Sequence, residues 1–570
     1  MVSRFNDVIH LSKINYTWPK GRGIFFLRFA RFTLHPWLES RGFRSLGIKN
    51  IRLLIFLISL VLLAIFFRFY NFSHLLYWMF DEERDAFVVK RILVDRHFTL
   101  IGGSIPGAFY LAPGYFYISA IFYFLSNGNP LGPAIAASIL GVISVVLLFF
   151  IAQEFFGKRA ATFAALIYCV SYLVVIYNRT WWPLTFAPTV ALLTYFSLYK
   201  IIKFRDLRWS IPLSFALMIG AQSDPSNFSL ILLSLLFWFL FKLPFKNKYV
   251  IWAIFLFISS HLPLVIFDLR HNFFNSKLIF KMLTFGQSGG TFQLFEALKG
   301  LILFPQTFSR LIYISNNPDM ALQIVPFKFY LDLKLNAIPS FLLIPSILIL
   351  FWFFLIFIKS ISKKNNLGVK IIGTHVLIAL LGIFLYNLLF PNYTYEWFLQ
   401  VLFPAFTIIL GLLLMKIYSI KHFTPLVFLA LVFYLLISIL VILNAKNSYN
   451  FGHKSEAVKW TITQLDKKPF SLDSPSSSFS YGGYRYLFYL YAHEPVKSYM
   501  DPVFVDWMYP KSSIAKDHPD KVVAIMNPDF FYDPIYWNRY QIYLTKTIAR
   551  KNFGRIEVLI VDNSDKWVDW

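Results

Sequence analysis

A chain of 570 residues with 57% apolar, 20% aromatic and only 15% charged side chains, at a mean hydropathy of +0.59, lies outside the range of soluble globular domains. A formal net charge of +25 would suit nucleic acid only if the Lys and Arg residues formed one patch, and they recur instead in short clusters between apolar runs, the pattern of cytoplasmic membrane loops. The one cysteine, Cys169, lies inside an apolar run, so neither an internal disulfide nor a cysteine-based metal site is expected.

Residues 1–50 carry nine Lys/Arg and show no cleavable leader, so the apolar run at 51–69 reads as a retained signal anchor behind a basic cytoplasmic segment. Within that segment Phe25 to Trp37 mixes Phe, Leu, Trp and Arg, which suits an interfacial amphipathic helix or a flexible basic tail. After the first run comes a stretch, 70–130, holding Phe80-Asp81-Glu82-Glu83-Arg84-Asp85 and the Gly102-Gly103, Pro106-Gly107 and Pro113-Gly114 pairs. Tyr115 to Leu125 is apolar but, at about 1.5 Å per residue, falls short of a hydrocarbon core about 30 Å thick. It is expected to be a juxtamembrane or re-entrant helix.

Eleven crossings are then expected, at roughly 51–69, 131–154, 160–178, 182–200, 209–223, 226–243, 250–268, 337–358, 370–390, 396–415 and 424–444. With the N-terminus inside, five cytoplasmic links hold fifteen Lys/Arg, from Lys158 to Lys421, against Arg179 alone in the short outer links. Counting 115–125 as a crossing would turn every one of those links outward. The expected architecture is a mainly α, polytopic membrane protein of the plasma or inner membrane. It divides into the basic segment 1–50, a transmembrane module 51–444 with outer loops 70–130 and 269–336, and a small extracytoplasmic α/β domain, 445–570. That last domain holds two strand-like runs, Lys521–Met526 and Arg555–Asp562, among Ser-, Gly- and Pro-rich turns.

On this topology the unusual polar residues share the outer face. They are Asp81 to Asp85, Arg179 with Trp181 and Trp182, Gln222 and Asp224, Asp268 with Arg270 and His271, and Asn392 to Glu396 with Tyr393 and Tyr395. The expectation is a polar chamber open to the outside, shared by the acidic cluster and Arg179. A helix opened by Asp81 and running to about Val94 would let its carboxylate cap free N–H groups, with Arg84 and Asp85 along the same side and Glu82 turned away. The same cluster reads either as a charged first turn or as a general base, Asp81, held by Arg84 or a neighbour. Arg179 reads as an interfacial anchor or as a bidentate phosphate donor. Arg270 and His271 share that ambiguity, with Asp268 the expected ion-pair partner of Arg270, whereas Lys277 reads as solvated or lipid-facing. Asp224 is either a helix N-cap or a cavity carboxylate, and the Trp and Tyr residues form either an aromatic belt or a sugar platform. His271 and the carboxylates lack metal-ligand spacing, so no cofactor is expected, although a divalent metal is compatible with the chemistry.

The motifs Phe80-Asp81-Glu82-Glu83-Arg84-Asp85-Ala86, Leu100-Ile101-Gly102 and Ala112-Pro113-Gly114-Tyr115-Phe116-Tyr117 resemble those of bacterial GT-C class membrane glycosyltransferases. The likeness is to the dolichyl-phosphate-mannose protein mannosyltransferases and lipid A aminoarabinose transferases (a glycosyltransferase family 39-like group). Phe155 to Ala161 resembles the family's first cytoplasmic turn and Tyr177-Asn178-Arg179 the start of its second outer loop; the resemblance is clear over about 51–205. It implies inverting transfer of a sugar from a polyprenyl-phosphate donor to an acceptor hydroxyl on a glycan, lipid or protein. Asp81 then matches the probable base, Glu82 the second acid and Arg179 a residue near the donor phosphate. Arg84, Asp85, Trp182, Gln222, Asp224, Arg270 and His271 complete the expected substrate site. Asp224 stands where a histidine is expected, and no β-trefoil insertion is present. A transporter or flippase of lipid-linked glycans would place charges near the membrane midplane, whereas the expected spans are almost free of charge. A polymerase or ligase of such glycans differs mainly in acceptor.

Overall fold

The structure, a computed structural model, describes residues 51–104, 109–285, 294–313, 340–363, 366–390, 395–475, 482–499, 519–526 and 534–565. The basic segment 1–50, Tyr393 and most of the outer loop after residue 313 lie outside the described residues. Helix α1, Ile51–Phe69, is followed by α2, Phe80–Leu93, and the short apolar α3, Gly114–Leu125. Next come α4, Leu131–Phe156, and α5, Lys158–Val170, with the short helix Tyr172–Tyr177 continuing α5 past an extended Ser171. The bundle goes on with α6, Ala187–Phe204, α7, Ser210–Ser223, α8, Phe228–Leu240, α9, Lys248–Ser260, and α10, Leu262–Arg270. After α11, Phe274–Phe285, and α12, Leu303–Arg310, it closes with α13, Leu343–Ile361, α14, Leu367–Leu389, α15, Phe403–Tyr418, and α16, Thr424–Asn444.

The described parts of all eleven expected crossings fall on helical stretches, but not all are continuous. Seven helices among the described residues are long and apolar enough to cross a bilayer, and α9 with α10, bent by 42° where Pro263 enters the chain, makes an eighth if counted as one span. The stretches at 158–177, 210–223 and 225–240 are shorter or interrupted. Helix α3, twelve residues long, is too short to cross, as its length predicts.

In lipid, helices associate through close packing rather than through the hydrophobic effect, and small residues permit it. The α5–α15 contact shows this. A Cβ on Gly411 would stand 2.6 Å from the Ala160 carbonyl and 2.8 Å from the Ala164 methyl, so the backbones meet where neither helix has bulk. This pair and α4 form the centre of the bundle.

Beyond α16 the chain forms α17, Phe451–Leu465, β1, Ser471–Asp473, α18, Tyr484–Leu490, β2, Lys497–Ser498, and β3, Lys521–Met526. It ends with α19, Pro534–Thr545, β4, Thr547–Phe553, and β5, Ile556–Asp562. The sheet order is β2-β1-β3-β5-β4, with β2, β1 and β3 parallel and β5 antiparallel to both neighbours. Strand alternation sorts its two faces. Val523, Ile525, Val558 and Ile560 join the main core on the α17 side, while Val522, Ala524, Met526, Leu559 and Val561 pack with Tyr543 of α19. Both strand-like runs of the sequence are strands here.

Candidate active site

Helix α2 has the charge order that a helix dipole favours, with Asp81, Glu82 and Glu83 in the first turn and Lys90 and Arg91 in the last. The N-cap position is Met79, and Glu82 reaches back to accept its N–H at 2.9 Å. Asp81 is therefore not the capping residue: the helix begins one residue earlier than expected, and the carboxylate at its third position is the one that can fold back. That places Glu82 in the protein, where burial pushes its carboxyl up to about 7, aided by the Asp81 charge. Glu83 is fully buried and Asp85 nearly so.

Asp81 stays outside, with a side chain 59% exposed, and takes one bond from Arg84 Nη1 at 2.8 Å. The same guanidinium grips Asp85 Oδ1 through Nε at 3.0 Å and Nη2 at 2.8 Å. One arginine thus holds an exposed and a buried carboxylate one helical turn apart. Burial raises the Asp85 carboxyl, against the pull of Arg84, and the Tyr115 phenol of α3 lies beside it. Asp85 Oδ2 and Tyr115 Oη are both buried, and the two side chains interact with each other.

Tyr115 leads on to the second outer link: its ring stacks with Trp181 at 6.5 Å, and Trp181 Nε1 donates to Ser119 Oγ at 2.8 Å. Acidic helix and Arg179 link therefore meet through α3, but not across an open chamber. Arg179 is fully enclosed, and its Nη2 donates to the Phe67 carbonyl in the last turn of α1 at 2.6 Å. Arg68 does the reverse, donating to the Cys169 carbonyl at the end of α5 at 3.1 Å and gripping Asn178 Oδ1 through Nε and Nη2. Each arginine caps the C-terminal turn of another helix, where cations are favoured. The expected shared chamber is corrected accordingly: helix ends that need donors have drawn Arg179 inward. Its Nε and Nη1 have no hydrogen-bond partner among the described residues.

The other expected residues act mostly as joints. Gln222 accepts the Gly114 N–H at 2.9 Å and donates to Ser260 Oγ at 2.8 Å, tying α3 to α7 and α9. Asp224 accepts the Ser226 N–H at 2.8 Å as the cap of the turn before α8, and burial raises its carboxyl to about 6. Asp268 does not pair with Arg270. Its carboxylate turns to the start of α11 and accepts the Asn275 N–H at 2.7 Å and the Ser276 hydroxyl, because unsatisfied amides lie closer than the guanidinium. Asn275 in turn holds Tyr110 at both backbone atoms, bringing the exposed Arg270 and His271 beside the loop before α3. Lys277 is exposed.

Trp182 stacks flat on Tyr177, 5.4 Å between centroids at 5°, and meets Trp397 edge-on. Tyr177 Oη donates to Glu396 Oε1 at 3.1 Å, and Arg310 at the end of α12 pairs with the other oxygen of Glu396. A chiefly apolar cavity of about 630 Å³ lies between α12, α13 and α16, lined by Ser309, Ile312, Ile349, Tyr434 and Asn444 among others. Among the described residues no three His, Cys, Asp or Glu side chains cluster as metal ligands.

Sequence reasoning did not single out Glu83, Lys454, Arg68 or the Arg310–Glu396 pair. Glu83 Oε2 accepts the Gly483 N–H and Oε1 the Tyr486 N–H, both at 2.8 Å, and Lys454 Nζ donates to the Trp78 and Gly482 carbonyls, both at 2.6 Å. An arginine one residue from the end of an apolar run was the visible signal for Arg68. The others are pairings across long stretches of chain with no local mark.

Residues 111–267 match the family model described as dolichyl-phosphate-mannose-protein mannosyltransferase. Among solved structures, ArnT from Cupriavidus metallidurans, in a crystal structure bound to undecaprenyl phosphate, aligns with a TM-score of 0.54 at 11% identity over 90% of this chain and 98% of that one. The Archaeoglobus fulgidus oligosaccharyltransferase in the apo form aligns with a TM-score of 0.42 at 12% identity, over 84% and 70%. No curated protein matches. The fold is that of a multi-pass helical membrane protein similar to the aligned ArnT structure, and residues 111–267 resemble the mannosyltransferase family model. The chain thus resembles the GT-C membrane glycosyltransferases of the protein-mannosyltransferase and aminoarabinose-transferase group.

Proposed function

We propose that this protein transfers a sugar from a polyprenyl-phosphate donor to an acceptor hydroxyl at the extracytoplasmic face of the cell membrane, with inversion at the anomeric carbon. The observation that carries the reading is Asp81: an exposed carboxylate at the start of a buried helix, fixed by an arginine that also anchors Asp85. A general base needs that combination of access and fixed direction. It takes the acceptor's hydroxyl proton as the oxygen attacks the anomeric carbon from the face opposite the phosphate. The carbon–oxygen bond to phosphate breaks, and the leaving phosphate gains charge that guanidinium groups stabilise. Arg270, an exposed cation beside the loop before α3, is the guanidinium with access to such a phosphate. The apolar cavity between α12, α13 and α16 suits an isoprenoid chain. A donor supplied as a lipid lets an outward-facing site work without nucleotides.

The test is transfer itself. Membranes containing the protein, given a radiolabelled polyprenyl-phosphate sugar, should move label into an acceptor fraction with inverted anomeric configuration. Retained configuration would remove the single-displacement mechanism.

A further inference from the structure

We infer that Glu83, which the transfer chemistry leaves unused, is a positioning residue that makes the C-terminal sheet domain a working part of the acidic site; this rests on the proposed transferase reading. Gly483 is the N-cap of helix α18 and has no side chain with which to cap the helix's free amides. The missing acceptor comes from 400 residues away: Glu83, 0% exposed, takes the Gly483 and Tyr486 N–H groups with its two oxygens. Around this bond the segment before α2 is stitched to the same domain. Trp78 Nε1 donates to the Gly483 carbonyl at 2.7 Å, Lys454 bridges the Trp78 and Gly482 carbonyls, and the Phe451 N–H reaches the Leu76 carbonyl at 3.0 Å.

The consequence follows from helix geometry. Glu83 sits one residue after Glu82 and two after Asp81, on the same first turn. Fixing its carboxylate to α18 fixes both the rotation and the start of α2. Asp81, exposed and held by one arginine, inherits its direction from that lock rather than from packing of its own. Gly483 belongs to the device as well. It has φ +99°, and a Cβ there would stand 2.6 Å from Trp78 Cδ1.

The test pairs kinetics with hydrogen exchange on the purified full chain. In Glu83→Gln one side-chain N–H group must face a backbone N–H, which opens the lock without changing size. We expect kcat to fall at least tenfold with donor KM within twofold, and amides of residues 80–86 to exchange at least tenfold faster while the transmembrane helices exchange as before. Trp78→Phe, which removes only the indole donor, should move both readouts the same way by a smaller factor, and it decides alone should Glu83→Gln fail to fold. Unchanged exchange at 80–86, or kcat within twofold in a folded variant, would overturn the inference. So would a loss confined to KM, which would make the contact part of substrate binding. The exchange readout needs no turnover, so absence of transferase activity in the unmodified protein would count against the proposed function without touching the lock.

Discussion

Arg84 Nη1 stands 2.8 Å from Asp81 Oδ1, and this is the only hydrogen bond to that exposed carboxylate among the described residues. Because the rest of the guanidinium is committed to Asp85, Arg84 cannot swing away without leaving a buried carboxylate unpaired. The pair is thus a tethered base rather than a loose surface ion pair, whose worth would be close to nothing.

Replacing Arg84 tests that tether. Arg84→Met should lower kcat by about 10²-fold, the scale of a misplaced reacting group. Arg84→Lys should recover little, because one ammonium cannot span both carboxylates as a planar fork does. Steady-state kinetics on the folded variants decide it.

Glu82 predicts a pH dependence of stability. Its carboxyl is raised from 4.5 to about 7, so the folded protein holds more protons than the unfolded chain between those values. Stability from this group is complete below about pH 4.5 and is lost as pH rises through about 7. Melting temperature measured from pH 5 to pH 8 should fall more steeply in the unmodified protein than in Glu82→Gln, which keeps an acceptor for the Met79 N–H but cannot ionise. Parallel curves would show that Glu82 does not titrate in this range.

Gln222 predicts a purely structural loss. Its removal in Gln222→Ala strips the Gly114 N–H and Ser260 Oγ of their partners and should cost about 1–3 kcal/mol. Gly114→Ala should act on the same joint from the other side, since its Cβ would stand 2.3 Å from Gln222 Oε1. Thermal unfolding in detergent measures both.

Arg270 separates binding from stability. It is exposed, so Arg270→Gln should leave the melting temperature almost unchanged. If it meets the donor phosphate, kcat/KM for the donor falls about tenfold, the loss of one charge-assisted contact.

What the residues alone disclosed, and what they hid, divides by distance along the chain. The apolar runs, the short α3 and strands β3 and β5 were legible because length and alternation are local properties. Asp224 as a cap was one of two readings left open, since its acceptor role needs only Ser226, two residues on. The capping role open to Asp81 does not hold, because the choice between neighbouring carboxylates turns on where the first helical amide falls. The expected Asp268–Arg270 pair does not form, because charge sign points to Arg270 whereas the free amides of the following helix compete better. Glu83 with Gly483, Arg179 with Phe67 and Arg310 with Glu396 join segments 86 to 400 residues apart, and no spacing rule reaches that far.

The central claim is that Asp81 drives transfer from a lipid-phosphate donor. Purified protein incubated with polyprenyl-phosphate sugar and acceptor should release free polyprenyl phosphate, and Asp81→Asn, folded and inserted, should release none above background. Release at the unmodified rate from that variant would contradict the account.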